Sequence, residues 1–366
     1  MNTENLHRLI DRYEEHFYTL NNSENDEIFK WRAAKQFRNI WFSENAKFMT
    51  FSEKFSEAKK EFSVLTDNSY VSPSNGIVKI AELEQDAMAQ LFDEVLFADD
   101  GGDIAMRQNN MDKFIEEHDK LRAKHYPQSF KFKQDRHAAS CYLAFYAPAE
   151  NYIYRYSDAE EFAKHIEYGK DIGSGENFRL DRYYEMCDLI VDVLKEHHSL
   201  IDKHFAFISE DCYRDESLHL LVFDLMYCCR TYNLYSGMRH ASKKDSIKAF
   251  TEAEARERKA RERQEQIDAI EAEINKLECR AEVFKGISLI NVQVHQSGLG
   301  NGIVVEQNVN KVKVRYNDCE KTYFINRKYF NRPVFEDDKE IVDAFTEYDE
   351  IIDQIKTLRD KLKRLY

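Results

Sequence analysis

The sequence predicts a mainly α-helical protein: a globular helical domain followed by an antiparallel coiled-coil stalk that carries a small β-barrel. Three observations lead there. Glycine and proline number only 11 and 4 in 366 residues while charged residues reach 33%, a composition of long helices with few turns. Apolar residues recur three and four apart through most of the chain. Near the C-terminus, two heptad runs flank an insert whose apolar and polar residues instead alternate.

Residues 1–237 form the expected helical domain. The helical spacing is clear in "IFKWRAAKQFRNIWF", "MDKFIEEHDKLRAKHY" and "YYEMCDLIVDVLKEHHSLI". The segments "VSPSNGIVKI" and "AFYAPAENYIYRYS" mix proline or glycine with β-branched residues and tyrosine, so loops or a small strand pair are expected there. Composition changes near 238–243. Residues 243–284 then read as one helix, opening on the charged "AEARERKARERQEQ" and closing on Ile267, Ile270, Ile274, Leu277, Ala281 and Phe284 at 3-4-3-4-3 spacing. A returning helix over 337–366 repeats the device with Ala344, Tyr348, Ile351, Ile355, Leu358, Leu362 and Leu365. The two seams predict a hairpin roughly 45 Å long, at ~1.5 Å per residue; a homodimeric coiled coil is the competing arrangement. Residues 286–333 read as four or five short strands, the size of an SH3-like or tudor-like barrel.

A formal charge of -14 argues against a surface that coats nucleic acid throughout, leaving only a local basic face for that role. No apolar run approaches the ~20 residues that span a bilayer, and the polar start "MNTENLHRLIDRYEEHF" is unlike a signal peptide, so a cytoplasmic protein without membrane contact is expected. Seven cysteines without a CxxC pair point to reduced, buried thiols.

Catalytic motifs are missing. The chain holds no GxxxxGK[ST] phosphate loop, no GxSxG elbow and no HExxH zinc helix, and His197-His198 are wrongly spaced for two ligands from one helical face. No cofactor, metal site or enzyme activity is expected. Asp135, Glu210 and Asp211 are the acids from which a metal-dependent nuclease would be assembled, as an alternative.

The glycine run "GLGNG" (298–302) leads from strand to strand and lacks the helix N-terminus that a dinucleotide fingerprint requires. It reads as the turn of the small barrel, with Gly300 and Gly302 supplying positive φ. Residues 285–332 hold eight basic groups (Lys285, Lys311, Lys313, Arg315, Lys321, Arg327, Lys328, Arg332) against three acidic ones (Glu306, Asp318, Glu320). On "KVKVRY" the strand period places Lys311, Lys313 and Arg315 on one face at ~7 Å intervals, close to phosphate spacing. Lys321 and Lys328 are expected to join them. In "FKWRAAKQFRNIW", Lys30, Arg32, Lys35 and Arg38 lie among aromatic residues, as a phosphate-contacting helix face or as an amphipathic helix pairing with the chain's own carboxylates. Tyr142, Tyr146, Tyr152, Tyr154 and Tyr156 are either base-stacking or packing residues.

Residues 27–235, with "FKWRAAKQFRNIWF", "AQLFDEVLFADDGGD", "QDRHAASCYLAFYAPAENYIYRYSDAEEFAK" and "LHLLVFDLMY", resemble the helical region in front of the motor of McrB-like restriction ATPases. The motor itself is missing, so the resemblance implies recognition or assembly. The basic insert is similar to the tudor-like module at the C-terminus of UvrD-type helicases, in which a His, a Phe-Gly-x-Gly-x-Val turn and a V-x-V-x-F strand recur. Leu299-Gly300-Asn301-Gly302-Ile303-Val304 and Val312-Lys313-Val314-Arg315-Tyr316 follow that order, with leucine for phenylalanine and His295 one residue further away. Such modules bind protein or nucleic acid. Together these readings lead to the expectation of a non-catalytic bacterial defence or DNA-transaction protein that binds nucleic acid, DNA rather than RNA, and docks a partner ATPase or nuclease. A protein–protein scaffold without nucleic-acid binding is the alternative.

Overall fold

A computed structural model describes residues 1–284, 286–308, 311–324, 334–335 and 339–366. The chain divides into two compact units, Met1–Glu252 and Ala253–Tyr366. It is mainly helical with a small antiparallel sheet near the C-terminus. Among the described residues no helix is long and apolar enough to cross a membrane.

The first unit is built from α1 (Thr3–Leu20), α2 (Phe29–Trp41), α3 (Phe51–Ala58), α4 (Ser63–Thr66), α5 (Pro73–Ala81), α6 (Gln85–Gln90), α7 (Ile104–His125), α8 (Arg136–Tyr146), α9 (Tyr156–His165), α10 (Leu180–Leu194), α11 (His198–Phe207) and α12 (His219–Thr231). Local chemistry starts several of them. Asn2 accepts from the Asn5 N–H at the head of α1, Asp103 caps α7, and Thr50 with Glu53 forms a reciprocal capping box on α3. Each helix then buries one stripe: Leu6, Leu9, Ile10, Tyr13, Phe17 and Leu20 on α1 point into one shared core. That core is rich in aromatic contacts. Phe92 meets Phe55, Phe114 and Tyr142 with ring centroids 5.0–5.7 Å apart, the spacing at which such rings attract.

One segment departs from expectation. "VSPSNGIVKI" contains a helix, α5, because Pro73 occupies the first helical positions where its missing N–H costs nothing, and Ile77, Ile80 and Ala81 bury one stripe. Residues 151–155 form a loop, as expected there, and belong to no ladder. Side chains satisfy their backbone instead: Ser140 Oγ accepts from the Tyr154 N–H at 2.8 Å, and the Tyr183 hydroxyl donates to the Ile153 carbonyl at 2.6 Å. A buried backbone must pair with something, and here its partners are remote in sequence.

The helix α13 (Lys243–Val283) is exposed over most of residues 251–266 and beyond them buries a narrow apolar seam at Ile267, Ile274 and Leu277. In the second unit Ile274 and Leu277 form one buried cluster with Ile351 and Ile355 of α14 (Lys339–Lys363), with Ile270, Ala281, Phe284, Leu358 and Leu362 packed around it. Arg280 pairs with Glu347 at 2.9 Å, Arg359 with Glu278 at 2.5 Å, and Arg263 donates to the Tyr366 carbonyl at 3.0 Å. Low numbers on α13 thus meet high numbers at the chain end, the order of an antiparallel pair.

Between these helices lie β1 (Gln293–Gln296), β2 (Gly300–Asn308), β3 (Lys311–Tyr316), β4 (Glu320–Phe324) and the two-residue β5 (Val334–Phe335), in the sheet order β4-β3-β2-β1-β5. All pairings are antiparallel. One face covers a small core of Leu289, Val292, Val294, Val304, Val312, Val314 and Tyr316. The glycine run does turn β1 into β2, with positive φ at Gly298 and Gly300. Gly302 is different. It lies in the strand without positive φ, and an added Cβ would stand 2.7 Å from Tyr316 Cδ1 and 2.8 Å from Val314 Cγ1, so the requirement there is close approach.

Five of the cysteines, Cys141, Cys187, Cys212, Cys228 and Cys229, are buried free thiols, whereas Cys279 is exposed and Cys319 half-buried.

Candidate nucleic-acid interface

The alternation of β3 holds in three dimensions. Val312, Val314 and Tyr316 are buried, while Lys311 and Arg315 are exposed and Lys313 half-exposed on the outer face. Direct cross-strand partners share a face. Lys311 lies opposite Phe324, Lys313 opposite Thr322 and Arg315 opposite Glu320 on β4, with Glu306 opposite Lys313 and Ile303 opposite Arg315 on β2.

This register alters the charge of the face. Glu320 accepts from the Lys313 ammonium and the Arg315 guanidinium, each at 2.8 Å. The bonds from Lys313 and then Arg315 hold the Glu320 carboxyl below its ordinary range, and the Lys313 ammonium is pushed above its own by the same contact. Lys311 makes no ion pair among the described residues; its ammonium sits 4.6 Å from the centre of the Phe324 ring, which is about half exposed. Among the described residues the outer face therefore offers one cation without an ion pair beside an aromatic ring, and two cations bridged by a carboxylate.

Lys321 does not join them. It pairs with the buried Val314 and so belongs to the opposite face of the sheet. Lys328, together with Lys285, Arg327 and Arg332, lies outside the described residues.

The basic helix near the N-terminus is committed elsewhere. Lys30 is fully buried, donating to Glu27 and, at 2.5 Å, to Asp224 Oδ1; it is unavailable to any surface ligand, which corrects its expected role. The physical reason is distant in sequence: Asp224 on α12 and Glu27 need a counter-ion inside the core. Arg32 pairs with Asp26 at 3.0 Å, and Arg38 donates to the Tyr146 carbonyl and lies 5.0 Å from the Phe42 ring centre. Lys35, half-buried, makes neither a side-chain hydrogen bond nor an ion pair among the described residues. The four residues thus do not make a basic face.

The same buried network bears on metal chemistry. Among the described residues, Glu27, Asp224 and Cys228 are the one set of three candidate ligands whose donor atoms lie within 4.8 Å of one another. The Lys30 ammonium already touches both carboxylates, and Tyr13 and Tyr232 donate to them at 2.5 Å, so a cation is supplied by the chain itself. Although burial works against it, the pull of Asp224, foremost among its neighbours, raises the Lys30 pKa and keeps it charged. Of the nuclease candidates, Asp135 caps α8 by accepting from the Ala138 N–H at 2.8 Å, and Asp211 accepts from the Ser209 hydroxyl at 2.5 Å.

Comparison with protein-family models, curated proteins and solved structures gives no match to this chain. The class it belongs to therefore rests on its own geometry.

Two residues of the face escaped sequence reasoning. Glu320 enters the sequence only as one of three acids in the basic insert, and Phe324 carries no signal there. The turn over 317–319 sets both beside β3 on the neighbouring strand, and the three residues between Tyr316 and Glu320 are the available signal.

Proposed function

We propose that this protein is a non-catalytic, cytoplasmic nucleic-acid-binding adaptor of a bacterial defence or DNA-transaction system. The outer face of β3 and β4 is the contact surface. The observation that carries this is the placement of Lys311, Lys313 and Arg315 on one solvent face beside the half-exposed Phe324 ring. Cations provide the phosphate contacts, and an aromatic ring next to them gives a base or sugar an apolar platform. In this reading α13 and α14 form an antiparallel coiled-coil stalk and the sheet belongs to a closed tudor-like barrel between them. The likeness of the first unit's sequence to the helical region of McrB-like ATPases supports a docking role toward a partner ATPase or nuclease.

The test is fluorescence anisotropy of the full chain on a labelled DNA duplex at two salt concentrations. Replacing Lys311, Lys313 and Arg315 by alanine weakens binding and flattens the salt dependence by about two to three in log–log slope. Unchanged affinity and slope would rule out this face.

A second reading is favoured by Glu320, which neutralises two of the three cations, and by exposed Ile303 on the same face. It makes this surface a protein-docking face with no nucleic-acid binding. A wild-type chain that fails to bind duplex or single strands at low salt, yet retains a co-purifying partner lost on Phe324→Ala, supports it.

A further inference from the structure

The first unit contains a surface cavity of about 640 Å³ between the loop at residues 65–71, the start of α8, the extended segment before α9 and the turn at Ser174-Gly175. That volume lies within the ~300–1,000 Å³ of small-molecule sites. Its chemistry is not that of a packing defect.

One wall is cationic. His137 faces the Tyr154 carbonyl with Nδ1 at 2.9 Å and the Leu65 carbonyl with Nε2 at 3.0 Å. A neutral imidazole has only one N–H, so only the doubly protonated ring donates to both oxygens. Arg136 spends its guanidinium on Asp112 at 2.8 and 3.0 Å and on the Gly175 carbonyl, which fixes the opposite wall. Arg155 is different. Its guanidinium makes no hydrogen bond among the described residues and lies 5.6 Å from the Tyr227 ring centre, and its nearest carboxylate, Asp158 at 3.6 Å, already meets Arg230 at 3.2 Å. Against these three cations the cavity has one lining carboxylate, Asp135, which is engaged in capping α8.

Two further features call for a ligand. Tyr154 lines the cavity and is only 5% exposed, with its ring 4.2 Å from Phe178 and 5.0 Å from Tyr183 centroid to centroid, yet its hydroxyl has no hydrogen-bond partner among the described residues. The ring is buried while the hydroxyl itself keeps solvent contact, so it is open to a ligand in the cavity. At the rim, α9 starts without a side-chain cap, and among the described residues the N–H groups of Tyr156 and Ser157 have no partner, while Asp158 and Ala159 both donate to the Arg155 carbonyl. The exposed Tyr156 ring stands beside them.

We propose that this cavity binds a nucleotide. Its phosphate sits against Arg155 and the open N–H groups at the start of α9, with the positive field of His137 behind it. The Tyr154 hydroxyl hydrogen-bonds the ligand, and the Tyr156 ring stacks on the base. The site belongs to the first unit and the proposed nucleic-acid face to the second, and variants of Lys311, Lys313 or Arg315 leave nucleotide binding unchanged.

Isothermal titration of the full chain with each of the four ribonucleoside 5′-monophosphates, with the matching nucleosides and with inorganic phosphate tests this. At least one monophosphate binds in the micromolar to submillimolar range, and its nucleoside at least about tenfold more weakly. Arg155→Ala weakens the monophosphate about tenfold and Tyr156→Ala about fivefold. Arg155→Lys, which retains the charge beside Asp158, falls between. Thermal melting of Tyr156→Ala matches wild type, since the side chain is exposed, so a loss there is a loss of binding. Absence of binding by every monophosphate, a nucleoside as tight as its monophosphate, or equal affinity in wild type, Arg155→Ala and Tyr156→Ala each overturns the proposal.

Discussion

The Lys30 ammonium donates to Asp224 Oδ1 at 2.5 Å, joining α2 to α12 across 194 residues of sequence with both side chains fully buried. Tyr13 on α1 donates to the other oxygen of the same carboxylate at 2.5 Å, and Glu27 completes the neutralisation of Lys30. Three helices therefore meet at one charge cluster in the core. Removing the cation leaves two buried carboxylates facing each other. Lys30→Met is expected to destabilise the first unit by about 3–5 kcal/mol, read as the shift in a urea unfolding curve. A loss below about 1 kcal/mol would show that the cluster is hydrated and weakly coupled.

His204 on α11 is 1% exposed, its ring lies 4.6 Å from Trp31, and neither ring nitrogen has a hydrogen-bond partner among the described residues. Burial disfavours the charged imidazolium and lowers its pKa from 6.5 to about 4. In the unfolded chain His204 takes up a proton below pH 6.5, whereas in the fold it does not until about 4. Stability is therefore fully present above 6.5 and lost as pH falls through that window, by up to roughly 3 kcal/mol from this group. His204→Phe should remove that loss, so the variant gains on wild type progressively from pH 6.5 downward in thermal melts. Parallel acid profiles for the two proteins would contradict it.

Gly302 has no room for a side chain. Tyr316 is held by bonds from its hydroxyl to Gln296 at 3.2 Å and with Tyr323 at 3.0 Å, so its ring cannot swing away from an added methyl. Gly302→Ala should destabilise the sheet by about 1–3 kcal/mol, seen as faster hydrogen exchange at the β2 and β3 amides with α1–α12 unaffected. Protection equal to wild type would mean that the strand shifts to accept the methyl.

Glu320 makes the outer face of the sheet tunable. If that face contacts phosphate, Glu320→Gln releases Lys313 and Arg315, tightens DNA binding severalfold and steepens its salt dependence by about one to two in log–log slope. Lys321→Ala, on the opposite face, should change neither affinity nor slope. The reverse pattern, with Lys321 mattering and Glu320 silent, would move the contact to the other side of the sheet.

Much of the architecture is legible in short-range periodicity. The seam residues Ile274, Leu277, Ile351 and Ile355 are buried together, and "KVKVRY" alternates in burial, because helix and strand periods follow from local backbone geometry. The α5 helix was missed because Ile77, Val78 and Ile80 suit either structure, and its burial against the core decides between them. The extended run before α9 has its hydrogen-bond partners on α8 and α10, where no sequence window reaches.

By itself, the sequence determined the helical character, the heptad helices, the strand-rich insert between them and the side of β3 on which its cations stand. Each is set by neighbours within a few residues. Only the tertiary structure decided how each charge is used: Lys30 is consumed by Asp224, Lys313 and Arg315 by Glu320, and Lys321 is turned to the other face, whereas Arg155, beside Asp158 at a cavity rim, spends no side-chain hydrogen bond among the described residues. Charge pairing depends on distances between residues far apart in the chain, and folding alone fixes those distances.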